Sequence, residues 1–127
     1  MRERMRRPAG PASPGFVGSP RVGPLSQQET GLLGTYASAL RARFGARPAE
    51  TVLFGSRARG TGRGDSDLDV LVLVDGLLRA ERREVIDLAA DLSLEWGRVL
   101  APLTSDTAAW RRDLPIARAI EAEGIPL

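Results

Sequence analysis

The sequence predicts an α/β fold of one small domain, in which a mixed sheet of about three strands is flanked by helices. Three observations lead to this prediction. Two long segments repeat apolar residues with the helical period, and short aliphatic runs between them have the length and composition of strands. Residues 1–24, by contrast, are rich in proline, glycine and arginine and have no apolar periodicity. We therefore expect a disordered arm over residues 1–24 and a folded domain over residues 25–127.

The first helix is expected to start at Ser26. Ser26 and Glu29 have the spacing of a capping box, in which each side chain accepts a hydrogen bond from the other residue's backbone N–H. Gly45 follows the last apolar residue of the pattern and is expected to end the helix. The residues of its predicted buried face are Leu32, Leu33, Tyr36, Leu40 and Phe44.

Two strands follow, over residues 51–54 and 68–74, and they are expected to pair antiparallel if the chain between them folds back. A second helix is expected over residues 78–96 because its apolar residues form a stripe. A third strand is expected over residues 98–103, where Pro102 favours a place at a sheet edge because proline has no N–H to donate.

The last part of the chain is expected to contain a short helix capped by Asp106 and then a final helix. Pro115 suits the first turn of this final helix, which is expected to extend through Glu123 and to close at Gly124. Trp96 and Trp110 are interpreted as core residues rather than as platforms for a ligand.

The segment between the first two strands carries the residues that point to a function. Gly55 and Ser56 follow the first strand, ten residues intervene, and Asp67 and Asp69 stand two apart at the start of the second strand. Residues two apart on a strand project from the same face, so we expect the two carboxylates to lie side by side. One or two carboxylates together with substrate phosphates are a usual ligand set for Mg²⁺.

The Gly-Ser half of this segment is suited to phosphate. Gly55 lets the backbone approach a ligand closely, and Ser56 is expected to open a short helix whose hydroxyl and free N–H groups bind an anion. Arg57 and Arg59 add positive charge that suits phosphate oxygens. The residues therefore indicate a site for Mg²⁺ and for ATP or another nucleoside triphosphate.

These residues closely resemble the minimal nucleotidyltransferases of the DNA polymerase beta-type nucleotidyltransferase superfamily, whose signature is Gly-Ser, ten residues and then Asp-x-Asp. The resemblance implies a polymerase-beta-like fold, in which Ser56 binds the triphosphate. It also implies that Asp67 and Asp69 are catalytic, bind two Mg²⁺ ions, and help to move a nucleotidyl group, most often AMP from ATP, to an acceptor.

The resemblance also has implications for partners. The domain has little room for an acceptor-binding part, so the acceptor side is expected to come from a second protein or from a second copy of the chain. In the family such proteins are often encoded beside a small helical HEPN-type partner, as toxin–antitoxin pairs in which the transferase modifies or masks the toxin.

One departure from the family pattern leaves two hypotheses open. The family's third acid usually stands on the strand after the long helix, and Leu100 occupies the expected position; the sequence has no carboxylate between Glu95 and Asp106. That acid is commonly taken as a general base, and general-base catalysis is worth roughly 10²–10⁴-fold. The chain is therefore either an active nucleotidyltransferase or a catalytically degenerate antitoxin of the same fold. Glu95 is the one acid of the second helix that we would test as a replacement.

Composition excludes several other classes of function. The chain has no histidine, cysteine or lysine, which excludes a structural zinc site, a cysteine nucleophile, a Ser-His-Asp triad, a P-loop and a disulfide. The absence of cysteine and of a long apolar run predicts a cytoplasmic location and no membrane partner.

Charge gives a third hypothesis, an RNA-binding module. The formal net charge is +2, with +4 in residues 1–24 and −2 in residues 25–127. The arm and the Arg/Gly-rich loop could contact RNA, but they lack the aromatic residues beside basic ones on which single-stranded bases usually stack. Nucleic acid is therefore not expected as a partner.

Overall fold

The computed structural model describes residues 25–61 and 66–127. The predicted arm at 1–24 and part of the loop between the first two strands, residues 62–65, lie outside the described residues. The elements in chain order are α1 (Gln27–Phe44), β1 (Pro48–Phe54), α2 (Ser56–Arg59), β2 (Leu68–Val74), α3 (Arg79–Trp96), β3 (Leu100–Asp106), a 3₁₀ helix (Thr107–Ala109), α4 (Pro115–Glu123) and β4 (Ile125–Pro126). The predicted α/β class is confirmed.

The sheet has four strands rather than the three that were predicted. Its order is β3-β2-β1-β4, with β1 antiparallel to both β2 and β4, and β3 parallel to β2. The predicted pairing of the first two strands is therefore confirmed. β4 was missed because two residues are too few to show a strand pattern. It reaches β1 because Gly124 has no side chain, since an added Cβ there would overlap Val52 Cγ1 and the Ile120 carbonyl.

Two apolar layers pack on opposite faces of the sheet. Alternate residues of β2 from Leu68 to Val74 pack with α1 and α3. Leu71 and Leu73 pack on the other face with α4. Because side chains alternate along a strand, Asp69 projects from the same face as Leu71 and Leu73. The predicted acid pair therefore belongs to the α4 face of the sheet.

The start and end of α1 agree with the prediction. Ser26 Oγ accepts a hydrogen bond from the Glu29 N–H at 3.0 Å, and Glu29 Oε1 accepts one from the Ser26 N–H at 2.9 Å. Gly45 ends the helix with a φ of +66°. The buried Tyr36 hydroxyl donates to the Val85 carbonyl of α3 at 3.0 Å, and burial raises the pKa of this tyrosine. The Tyr36–Val85 hydrogen bond joins α1 to α3.

The outer edge of β3 is closed against further strands. The Leu100 N–H donates to Ser93 Oγ at 2.9 Å, Pro102 has no N–H, and the Thr104 carbonyl accepts from Arg82 at 2.9 Å. These are successive alternate positions on the side of the strand away from β2, which is where proline is tolerated in a sheet. The edge position predicted from Pro102 is confirmed, although β3 starts and ends later than the expected 98–103.

Candidate functional site

The Gly-Ser turn lies directly against one of the two predicted acids. Phe54 at the end of β1 pairs with Asp69 of β2, so Gly55 follows beside the Asp69 carboxylate. Gly55 has φ +80° and ψ −161°, a backbone conformation that is essentially restricted to glycine. A Cβ added at this position would overlap Asp69 Oδ2. The turn and the carboxylate fit together because residue 55 has no side chain.

The two acids influence each other electrostatically. Asp67 is exposed and Asp69 is half-buried. Burial raises the pKa of Asp69, the negative charge of Asp67 raises it further, and Arg59 opposes both effects. Two carboxylates that repel each other in this way form a place where a cation is stabilised.

The acid pair alone is an incomplete ligand set for a metal ion. The described residues contain no group of three or more acidic side chains that could hold one. Mg²⁺ commonly binds through one or two carboxylates and completes its shell with substrate phosphates and water. Asp67 and Asp69 therefore fit Mg²⁺ that arrives with a nucleotide better than a metal held by protein groups alone.

Ser56 and Arg59 are placed beside the acid pair by α2. The helix begins at Ser56, as predicted, and ends at Gly60, which has a φ of +76°. Arg59 is exposed in the last turn, where its charge acts on Asp69 and its Nη1 lies 3.4 Å from Glu123 Oε1 of α4. The short helix that follows the Gly55 turn beside Asp69 thus carries a hydroxyl and a solvent-accessible guanidinium.

Arg57 is not brought to this site, contrary to the expectation. Its side chain is 3% exposed, and its Nη2 lies 2.6 Å from Glu29 Oε1 of α1. Residues two apart on a helix project about 200° apart, so the Arg57 and Arg59 side chains leave α2 in nearly opposite directions. Arg57 Nε and Nη1 are buried and make no hydrogen bond within the described residues. The structure therefore places Arg57 in the packing behind the turn rather than among residues that face a phosphate.

Glu29 and Arg98 were not recognised as residues connected to the site. Glu29 Oε2 accepts from Arg98 Nε at 3.2 Å and from Nη2 at 2.7 Å, and Arg98 Nη2 also donates to the Ser66 carbonyl, next to Asp67, at 2.9 Å. Burial would raise the pKa of Glu29, but its hydrogen bonds to the α1 N-terminus and to two arginines outweigh that effect and lower it. The capping-box pattern explained Glu29 locally, so no further sequence signal indicated this second role.

The expected position of the third acid was wrong. Leu100 is 5% exposed and packs in the core on the α1 and α3 face. The β2–β3 register pairs Asp69 with Ala101, so Ala101 and Leu103 are the β3 residues on the Asp69 face. Glu95 is exposed on α3, which packs on the opposite face. Within the described residues, no third carboxylate joins the acid pair.

Comparison with known proteins identifies both a family and a relative. Residues 33–106 match the family model described as a nucleotidyltransferase domain. A protein of Methanocaldococcus jannaschii called "Putative protein adenylyltransferase MJ0604" is 35% identical over 65 residues. The aligned region covers 51% of this chain and 61% of that protein, so the chain spans only part of its relative.

Solved structures share the fold. One described as a "putative minimal nucleotidyltransferase" superposes with a TM-score of 0.53 at 28% identity, covering 83% of this chain and all of the other. A mutant of the toxin–antitoxin complex MntA-HpeT gives a TM-score of 0.52 at 21% identity, covering 74% and 70%. A toxin–antitoxin structure with AMP-PNP gives 0.50 at 22% identity, covering 72% and 69%. With a family match over more than half of its length, the chain belongs to the nucleotidyltransferase domain family.

Proposed function

We propose that this chain is a Mg²⁺-dependent nucleotidyltransferase that moves AMP from ATP to an acceptor on a partner protein. The observation that carries the proposal is the contact between Gly55 and Asp69, where a side chain on the glycine would overlap the carboxylate. That contact joins the two halves of the Gly-Ser and Asp-x-Asp signature in space. It is also the kind of glycine that permits close backbone approach at a binding site.

The proposed residues have separate roles. Ser56 and Arg59 bind the triphosphate, and Asp67 and Asp69 hold Mg²⁺. When bound, Mg²⁺ stabilises the charge that develops on the phosphate oxygens. Gly55 keeps the turn close enough to Asp69 for the metal-binding and phosphate-binding groups to act on the same nucleotide.

In the proposed reaction an acceptor hydroxyl oxygen forms a bond to the α-phosphorus of ATP. The bond from that phosphorus to the oxygen that bridges to the β-phosphate breaks, and pyrophosphate leaves with the bonding electron pair. The hydroxyl proton passes to solvent or to a base on the acceptor, since the described residues offer no third carboxylate beside Asp67 and Asp69.

The proposed acceptor is a small helical HEPN-type protein that forms a toxin–antitoxin pair with this chain. Two of the structural neighbours are described as toxin–antitoxin structures, and one of these contains AMP-PNP. A second copy of the chain is the alternative source of the acceptor side. No helix in the described residues is long and apolar enough to cross a membrane, and a cytoplasmic location stays a prediction.

The test is to incubate the protein with Mg²⁺ and α-labelled ATP in a lysate of its own host. An Asp67→Ala/Asp69→Ala double variant serves as the control. We expect a labelled protein band that the double variant does not produce, and its identity gives the acceptor. Labelling of the same band by both proteins would show that the acid pair is not needed and would contradict the proposal.

A degenerate antitoxin that binds Mg-ATP without transferring it is the second candidate. The presence of Ala101 and Leu103, rather than an acid, on the β3 face beside Asp69 favours it. It predicts Mg-ATP binding to the wild-type protein with no labelled band. It also predicts that the double variant still neutralises its toxin, whereas a transferase that acts by modification loses that ability.

A further inference from the structure

Glu29 is a buried carboxylate whose two oxygens both receive hydrogen bonds. Oε1 accepts from the Ser26 N–H at 2.9 Å and from Arg57 Nη2 at 2.6 Å. Oε2 accepts from Arg98 Nε and Nη2 at 3.2 and 2.7 Å. The Glu29 side chain is 3% exposed, so this carboxylate is largely withdrawn from water and its charge is balanced by the two guanidiniums.

Each arginine leads to one half of the proposed site. Arg57 directly follows Ser56 in α2, and its Nη2 contact with Glu29 is its only side-chain hydrogen bond among the described residues. Arg98 donates to the carbonyl of Ser66, which directly precedes Asp67. One carboxylate of α1 therefore contacts the phosphate-binding turn on one side and, through Arg98, the start of the acid pair on the other.

The directions of these contacts indicate what Glu29 does. Its carboxylate is 3% exposed and is bonded to Ser26, Arg57 and Arg98, so it is not placed to touch a nucleotide. It instead limits how far α2 and the Ser66–Asp67 backbone can move apart, because both are tied to the same buried group. A shared support matters most where two groups of residues, here the Gly-Ser turn and the acid pair, must bind one ligand at a fixed separation.

We propose that Glu29 is a positioning residue that holds the Gly-Ser turn and the Asp67 backbone at the separation that Mg-ATP requires. This inference rests on the proposed function, because it assumes that the two halves bind one metal–nucleotide complex. It extends that function to three residues outside the signature, namely Glu29, Arg57 and Arg98.

The experiment measures Mg-ATP binding by calorimetry on the full chain, without an acceptor, for the wild type and two variants. Glu29→Gln removes the charge and keeps the side-chain length, whereas Arg98→Met keeps a similar length but removes the donors to Glu29 and Ser66. We expect each to raise the Mg-ATP dissociation constant by at least about tenfold. Arg98→Lys, which keeps the charge and a donor, is expected to fall between Arg98→Met and the wild type.

The matched control is Glu81→Gln. Glu81 occupies the same position at the start of α3 and pairs with Arg47 at 2.7 Å, but it lies away from the site. Its variant is expected to bind Mg-ATP as the wild type does. Hydrogen exchange of residues 66–68 in the nucleotide-free protein gives a second readout, which is expected to rise in Arg98→Met and to stay unchanged in Glu81→Gln.

The outcomes separate this inference from the proposed function. If the wild type does not bind Mg-ATP, the proposed function fails and the inference fails with it. If the wild type binds and Arg98→Met, folded by circular dichroism, binds equally well, the inference alone is overturned. Should Glu29→Gln fail to fold, the series of Arg98→Met, Arg98→Lys and wild type still decides the question.

Discussion

Two glutamates, Glu29 and Glu81, stand in the first turn of a helix and differ in what their arginine partners contact. Glu29 in α1 and Glu81 in α3 both accept a hydrogen bond from the backbone N–H three residues earlier. Both also pair with arginine through both oxygens. Arg47, the partner of Glu81, also donates hydrogen bonds to the carbonyls of Asp75 and Gly76, in the turn after β2. The arginines of Glu29 instead continue to the two halves of the candidate site.

Both glutamates are buried, but Arg57 and Arg47 differ strongly in exposure. The side chains of Glu29 and Arg57 are each 3% exposed, whereas Arg47 is 40% exposed beside Glu81. Removing one partner of a buried ion pair costs much stability because the remaining charge has no compensation. When the remaining charge is in contact with water, hydration compensates it in part and the loss is smaller. One local motif can therefore support a surface turn or a candidate functional site, according to its tertiary surroundings.

The largest expected effect is on the stability of Glu29→Gln. Removing one charge of a buried pair leaves the other without compensation, and such changes typically cost about 3–5 kcal/mol. Urea unfolding followed by circular dichroism measures the difference. Glu81→Gln, whose arginine can be hydrated, is expected to lose clearly less. Equal losses for the two variants would remove the distinction between a buried and a hydrated cluster.

The next effect concerns two glycines with positive φ, Gly55 after β1 and Gly76 after β2. Gly55→Ala places a Cβ on Asp69 Oδ2 and forces alanine into a conformation that costs about 1–3 kcal/mol. Gly76→Ala meets nothing closer than Arg47 Nη2 at 4.0 Å, so backbone strain is its main cost. We expect only Gly55→Ala to abolish Mg-ATP binding in calorimetry. Unchanged binding by folded Gly55→Ala would contradict the proposed role of this contact.

A smaller effect appears in the pH dependence of stability. Hydrogen bonds from Arg47, and then from the Leu78 N–H, lower the pKa of Glu81 from 4.5 to about 2. Because the pKa is lower in the folded state, this stabilisation is present above pH 4.5 and is lost as the pH falls from 4.5 through about 2. Glu81→Gln should therefore approach the wild-type stability over that interval. Acid-titrated urea unfolding of both proteins tests this, and a constant difference across the interval would refute it.

The parts of the fold that were predicted correctly depend on local signals. The caps of α1 and the closure of α4 at Gly124 follow from patterns a few residues long. β4 did not, because two residues become a strand only through their pairing with β1. Local pattern thus identified the elements, and long-range contacts added the last one.

In the candidate site, too, some features could be predicted from the sequence and others depended on long-range contacts. Strand geometry was enough to place Asp67 and Asp69 on one face, and the family signature related this acid pair to Gly55 and Ser56 across the ten intervening residues. The choice between Leu100 and Ala101 depended on the register of β3 against β2, and a shift of one residue exchanges the faces of a strand. The direction of Arg57 depended on where α1 placed Glu29. No pattern within either segment contains that information.

The smallest expected effect comes from two exposed ion pairs, Arg59–Glu123 and Arg43–Glu84. Arg59 and Glu123 are each close to half exposed and lie 3.4 Å apart, so Glu123→Gln should change stability by less than about 1 kcal/mol. It should not weaken Mg-ATP binding, and at low salt it should strengthen it, because it removes a negative charge near the proposed phosphate site. Glu84→Gln, which breaks the exposed pair with Arg43, is the matched control and should leave binding unchanged at any salt. Calorimetry at two salt concentrations makes the comparison. Tenfold weaker binding by Glu123→Gln would instead show that Glu123 belongs to the binding site, so that Arg59 needs this carboxylate to face the nucleotide.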